Sequence, residues 1–220
     1  MAVKHRTERG FDRLVNFSDA VIAIAITLLV LPLMDLVASA DTQNLFQFLQ
    51  VNGGAFVSFV AGFFLTALFW SIHHRTFEYF ETYDEPLLWL NFTWLLLIAL
   101  LPFISAAGGD PENNWPTSMM MFVMALLSAL LGAIVAHGAR NPYLLNSGPD
   151  WVRLRLTRSW AYGIFFACLG ALGILTSDWA LYGLFLLWPF GMVIDHITDR
   201  KEADLEEQEA AAEPSGDGAS

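Results

Sequence analysis

Charged residues are scarce in this chain. Asp, Glu, Lys and Arg make up only 15% of its 220 residues, against about 25% in a typical soluble domain. Hydrophobic residues reach 55%, which excludes intrinsic disorder for the main body and argues against an ordinary cytosolic enzyme. Cys168 is the single cysteine. An intrachain disulfide and a cysteine-rich zinc site are therefore excluded.

Basic residues are also few, and the net charge is −11. Much of the acid is concentrated at the end of the chain, because eight of the 22 acidic residues lie between Asp199 and Asp217. We predict an acidic, disordered tail over residues 201–220, separate from a membrane domain over residues 1–200. No nucleic-acid partner is expected.

Six apolar stretches each have about the 20 residues that a helix needs to cross a bilayer. They lie at about residues 18–37, 54–73, 86–107, 117–137, 157–176 and 179–197. The sequence therefore predicts an all-α membrane protein with six transmembrane helices per chain, embedded in a lipid bilayer.

The 11 Lys and Arg residues all lie before the first predicted span or after the second, fourth and sixth. The remaining loops contain none. Because basic residues accumulate on the cytoplasmic side of membrane proteins, both termini are predicted to be cytoplasmic. This arrangement requires an even number of spans.

Signatures of enzymes are missing. The sequence has no Gly-rich phosphate loop, no zinc-binding histidine motif and no nucleophile elbow. His73 and His74 are adjacent, so on a helix their rings point about 100° apart and would not share a metal ion. We predict no enzymatic activity, no cofactor and no bound metal. The middles of the spans also lack ionisable residues; Asp19 and Asp195 lie near span ends.

The entry to the first span is unusually polar, running from Arg13 through Ser18 to Asp19. Such groups are costly in a membrane unless they are paired or hydrated. Two interpretations are open. Asp19 complements the positive end of the helix while Arg13 extends to the headgroups, or a buried polar network fixes the helix to its neighbours.

Farther along the first span, Ile24, Leu28 and Leu31 fall at i, i+4 and i+7, on one side of a helix, with Thr27 beside them. This stripe is compatible with ordinary packing against lipid or protein. Several copies facing a common axis would instead form stacked apolar rings, which can gate ions by dewetting.

The pattern Arg13-x-x-x-Phe17-Ser18-Asp19, followed by Ala20-Val21-x-Ala23-Ile24-x-x-Thr27-Leu28-Leu29, resembles the transmembrane protein 175 family of endolysosomal potassium channels. The resemblance covers roughly the first half of the chain. It extends to Trp70, His74, Asn91 and the sequence Leu101-Pro102-Phe103.

The resemblance implies roles for these residues. Ile24 would form the main pore constriction, Leu28 and Leu31 would lie above it, and Thr27 would supply a hydroxyl that supports selectivity. The first helix would be held in place by a set of motif and network residues: Arg13, Phe17, Ser18, Asp19, Trp70, His74 and Asn91.

A single six-helix repeat resembles the prokaryotic members, which implies a homotetramer in the cell membrane of a prokaryote. One helix cannot enclose a pore, whereas symmetric copies can. The expected function is a modestly potassium-selective channel that also passes rubidium and caesium. Two alternatives stay open: a proton-linked potassium carrier or proton channel in which His74, Asp19 or Asp195 titrates, and a non-conducting scaffold that binds partners through its acidic tail.

Overall fold

A computed structural model describes residues 8–39, 44–107, 115–146, 150–175, 183–194, 196–197 and 200. These residues form an all-α protein. The helices are α1 (Glu8–Leu28), α2 (Leu31–Ser39), α3 (Leu45–Phe77), α4 (Glu85–Ala107), α5 (Trp115–Arg140) and α6 (Asp150–Leu175). A short helical segment follows at residues 187–194.

Five stretches of the described chain are long and apolar enough to cross a membrane: Arg9–Ala38, Phe46–Phe77, Glu85–Ala107, Trp115–Arg140 and Arg155–Leu175. They coincide with the first five predicted spans. The sixth predicted span lies partly outside the described residues. Its helical part packs on α6, where the rings of Phe190 and Phe165 stack with centroids 4.5 Å apart. Residues 201–220, the predicted acidic tail, and Asp195 also lie outside the described residues.

The first span is two helices rather than one. Proline has no N–H to donate to the carbonyl four residues earlier, and its ring crowds that carbonyl. Pro32 therefore prevents α1 from continuing past Leu28, and the chain turns at Leu29 and Val30 before α2 begins. The prediction that Leu31 continues the register of Ile24 and Leu28 on one unbroken helix is wrong for this reason.

The second span has a kink near its start. Asn52 has non-helical backbone angles (φ −109°, ψ 16°). Its side-chain amide donates to the carbonyl of Phe48 at 3.1 Å, so a side chain competes with the backbone for a helical acceptor. The helix resumes beyond Asn52 and continues to Phe77.

The helices pack around a core of Trp94, Ile98, Met124, Leu127 and Phe166, all of which are fully buried. Small residues let α5 and α6 approach closely, as is common between membrane helices. A Cβ added at Gly132 would lie 3.4 Å from the Cβ of Ser159, and one added at Gly163 would lie 3.6 Å from the Cβ of Ser128.

One end of the bundle holds the start of α1, the end of α3, the end of α5 and the start of α6. Phe11 stacks on Phe77 with ring centroids 6.1 Å apart, and Phe80 pairs with Leu145 in an isolated β-bridge. The arginines of these helix ends therefore lie at the same end of the molecule, which we call the arginine-rich end: Arg9, Arg13, Arg75, Arg140, Arg155 and Arg158.

Candidate functional site

The two sides of α1 differ sharply in burial. One side packs into the bundle through Leu14, Ser18, Ile22, Ala25 and, directly after the helix, Leu29, all of which are buried. These residues recur every three or four positions, the spacing of one helix face. The packed side therefore fixes the rotation of α1 about its own axis.

The other side of α1 is largely exposed. Ile24 has 60% of its surface exposed, and Leu28 and Leu31 are also exposed. Leu31 stays on this surface although it opens α2. Thr27 is exposed as well, and its hydroxyl donates to the carbonyl of Ile24 at 2.8 Å, which leaves its oxygen lone pairs free to accept. Ala20 and Ala23 lie on the same surface.

Behind the packed face, a buried polar network joins α1, α3 and α4. The hydroxyl of Ser18 donates to the carbonyl of Leu14 at 2.9 Å. The side-chain amide of Asn91 donates to the Ser18 oxygen at 2.8 Å. That orientation leaves the Asn91 carbonyl as an acceptor 2.8 Å from Nε2 of His73, so we assign a hydrogen to Nε2. Each of the three side chains is almost completely buried.

His73 is the functional candidate that sequence reasoning missed. Its ring lies between those of Phe77 and Trp94, with both pairs of centroids 4.3 Å apart. A signal was available: His73 lies four residues before the end of α3, and Asn91 lies six residues after the start of the antiparallel α4. Buried polar groups require partners, so two polar residues at similar depth in neighbouring spans were candidates for a pair.

A second set of contacts begins at Asp19. The indole N–H of Trp70 donates to Oδ1 of Asp19 at 2.8 Å. The Trp70 ring stacks on His74 with centroids 5.5 Å apart, and Nε2 of His74 lies 3.6 Å from Oε1 of Glu78. These contacts connect α1 to the end of α3, whereas the adjacent His73 faces Asn91.

The structure decides between the two interpretations of Asp19. Because α1 begins at Glu8, Asp19 lies about three turns inside the helix. The proposal that Asp19 complements the helix N-terminus is therefore wrong, since that effect is confined to the first turn. Its hydrogen-bonding partner is Trp70, on the next membrane span.

The remaining motif residues lie at the edge of these contacts. Phe17 packs edge-to-face on Phe92 of α4 with centroids 6.0 Å apart. Arg13 is exposed, and within the described chain no carboxylate comes within 4 Å of it. No group of three His, Cys, Asp or Glu side chains among the described residues could hold a metal ion.

At the arginine-rich end, Asp84 connects three segments. Its Oδ1 accepts the backbone N–H of Leu87 and caps α4. Its Oδ2 lies 2.8 Å from Nε2 of His137 and accepts the hydroxyl of Tyr143 at 3.1 Å. Burial acts to raise the pKa of the Asp84 carboxyl, but the hydrogen bonds from Leu87, His137 and Tyr143 outweigh it and hold the pKa below its usual value.

Comparisons with known proteins point to one family of channels. The model of the family described as endosomal/lysosomal potassium channel TMEM175 matches residues 13–102. A potassium channel of Streptomyces collinus is 30% identical over 167 residues, which cover 73% of this chain and 77% of that protein. The endosomal/lysosomal proton channel TMEM175 of Danio rerio is 28% identical over 144 residues. The match covers 64% of this chain and only 28% of that longer protein.

The fold has a solved counterpart. The crystal structure of a lysosomal potassium-selective channel TMEM175 homologue from Chamaesiphon minutus superposes with a TM-score of 0.69 and 21% sequence identity. The superposition covers 84% of this chain and 98% of that one. The region that the family model matches contains most of α1 and every residue of its polar network, and the chain therefore belongs to the TMEM175 channel family.

Proposed function

We propose that this chain forms a potassium-preferring cation channel, not an enzyme, and that four copies of α1 surround its pore. The observation that carries the proposal is the division of α1 into a packed face and an apolar face that is exposed in the described part of the chain. The packed face is anchored by hydrogen bonds to α3 and α4. A second copy of the chain would be needed to cover the other face with protein.

Symmetric closure would bring the exposed side chains of Ile24, Leu28 and Leu31 into stacked rings around one axis. An apolar ring offers an ion no ligands in place of its lost water. Potassium holds its hydration water less tightly than sodium, so it would pass with a smaller dehydration cost, and rubidium and caesium would pass as well. The Thr27 oxygen would be the polar group nearest to the Ile24 ring. Selectivity of this origin should be modest.

The test compares two variants with equal starting exposure. Ile24→Asn introduces an amide on the proposed pore face, and Leu96→Asn does the same on α4, where Leu96 is also 60% exposed. In liposomes with opposed potassium and sodium gradients, we expect Ile24→Asn to raise cation leak and reduce potassium preference, because an amide hydrates the ring. Leu96→Asn should leave both unchanged. Equal effects of the two variants would mean that Ile24 faces lipid, and the proposal would fail.

Proton permeation is a second candidate function. The Danio rerio relative is named a proton channel, and the contacts of Asp19, Trp70 and His74 align titratable groups beside α1. A pH gradient imposed across the same liposomes separates the cases: unitary current steps favour a channel, and a fixed proton-to-potassium ratio favours a carrier. Absence of any flux, with a partner lost on deletion of residues 201–220, would favour a scaffold.

We further propose a location in a prokaryotic cell membrane with both termini in the cytoplasm. The convergence of the arginines at one end of the bundle supports this orientation, because basic residues favour the cytoplasmic side. The orientation can be tested in a Cys168→Ala background with single cysteines introduced at Tyr143 and Trp115, near opposite ends of α5. The measurement is whether each cysteine reacts with a membrane-impermeant thiol reagent. Reagent added outside intact cells should label only position 115.

A further inference from the structure

A cavity lies between α3, α5 and α6 at the arginine-rich end, away from α1. Three arginines line it: Arg75 from the last turn of α3, and Arg155 and Arg158 from α6. Ser159 and Tyr162 also line it. The cavity has about 40 Å³ of enclosed space, which exceeds the roughly 10–15 Å³ that one water molecule needs.

The charged residues that line this cavity are all basic. None of its lining residues is acidic. Among the described residues, no carboxylate lies within 4 Å of Arg75 or Arg155. Like charges gathered at a partly buried site repel one another, and guanidinium groups bind phosphate through paired N–H donors. The composition of the wall therefore favours an anion with several oxygen acceptors.

One of the arginines is held in position before any ligand arrives. Nη2 of Arg155 donates to the hydroxyl of Tyr79 at 3.2 Å, and its guanidinium carbon lies 4.9 Å from the centroid of the Tyr79 ring. A guanidinium has five N–H donors, so this contact leaves others available. Ordering the side chain in advance reduces the entropy lost on binding.

The residues that line the cavity change from charged to apolar with depth in the membrane, as the parts of a phospholipid do. Its arginines lie at the ends of α3 and of the candidate span Arg155–Leu175. Phe69 and Tyr162, which line its deeper part, lie six or seven residues farther into the membrane, or about 9–10 Å along a helix. Trp160 is exposed on the adjacent turn of α6, at a depth where aromatic rings favour the headgroup region.

We propose that this cavity binds the phosphate group of an anionic phospholipid. The enclosed space suits a single phosphate group, while the glycerol and acyl chains would lie along the outer surface of α3 and α6. Basic pockets between membrane helices commonly bind anionic headgroups. The site is independent of the ion path along α1, so it stands or falls separately from the proposed channel function.

The experiment measures lipid binding to the purified full chain in detergent. Dihexanoyl phosphatidylglycerol is titrated against the thermal unfolding midpoint, with dihexanoyl phosphatidylcholine and inorganic phosphate in parallel. We expect phosphatidylglycerol to raise the midpoint at concentrations where the other two have no effect. Equal shifts with phosphatidylcholine would refute a site for anionic lipid. An equal shift with inorganic phosphate would assign the cavity to the free anion and overturn the lipid assignment.

Variants locate the effect. Arg75→Gln should weaken phosphatidylglycerol binding about tenfold or more, the loss expected for a charge-assisted hydrogen bond. Arg75→Lys keeps the charge but loses the paired donors, so its affinity for phosphatidylglycerol should lie between those of the unsubstituted chain and Arg75→Gln. Arg140→Gln is the matched control, because Arg140 is exposed at the same end but does not line the cavity. Binding lost equally in Arg140→Gln and Arg75→Gln would show a diffuse charge effect and refute the site.

Discussion

Replacing Asn91 by leucine should separate the packing of α1 from its hydrogen bonding. Asn91 is fully buried and bridges Ser18 and His73 through two contacts of 2.8 Å. Leucine has the same number and branching of side-chain heavy atoms as asparagine and removes both contacts. Ser18 keeps its own acceptor, the carbonyl of Leu14, but the Nε2–H of His73 is left buried without a partner among the described residues.

The magnitude follows from these two losses. A side-chain hydrogen bond between membrane helices contributes about 0.6 kcal/mol on average and up to about 1.7. A buried donor left without a partner costs about 1–3 kcal/mol more. Asn91→Leu should therefore lower the free energy of unfolding by about 2–4 kcal/mol.

A second substitution tests whether the unpaired N–H of His73 causes most of the stability lost in Asn91→Leu. His73→Phe removes the polar nitrogens while a ring remains between Phe77 and Trp94. The double variant should be more stable than Asn91→Leu alone by about 1–2 kcal/mol, because no buried donor is left unpaired. Thr93→Val is the control, since Thr93 lies on the exposed side of α4 and should change stability by less than about 0.5 kcal/mol.

The assay is reversible unfolding in mixed micelles by titration with sodium dodecyl sulfate, followed by tryptophan fluorescence. The reasoning is refuted if Asn91→Leu and Thr93→Val unfold at the same detergent fraction. It is also refuted if His73→Phe adds its own loss to that of Asn91→Leu instead of recovering stability.

Two further predictions concern the arginine-rich end. Because the pKa of Asp84 is lowered in the folded state, its contribution to stability is present above its unfolded pKa of about 3.9 and is lost as pH falls through the folded value. Asp84→Asn should therefore cost about 1 kcal/mol at pH 6 and progressively less as the pH falls below the unfolded pKa, measured as unfolding free energy against pH. Gly138→Ala places a Cβ 2.8 Å from the buried Phe80 ring and should destabilise the protein by about 1–3 kcal/mol. Gly54→Ala, whose added Cβ has nothing within 4 Å, should stabilise it by about 0.5–1 kcal/mol. Equal melting temperatures for the two glycine variants would contradict this packing.

The membrane spans were predictable from local sequence, because the length and hydropathy of a segment decide whether it can cross a bilayer. The ends of the helices were less predictable. The first span was expected to begin near Ser18, where the apolar run starts, yet α1 begins at Glu8. Its first turns are supported by Phe11, which stacks on Phe77, and no local pattern indicates that contact.

The motif around Ser18 and Asp19 indicated a special site, and its residue types restricted the chemistry to hydrogen bonding near the end of a span. The choice of partners depended on the tertiary structure. Ser18 meets Asn91, 73 residues away, and Asp84 meets His137, 53 residues away. Such pairs are set by how helices rotate and cross, which depends on packing over the whole bundle and not on any one segment. The same limit applies to the exposed face of α1. Its apolar stripe is visible in the sequence, and the described part of the folded chain leaves that stripe exposed because the opposite face is already held in the core.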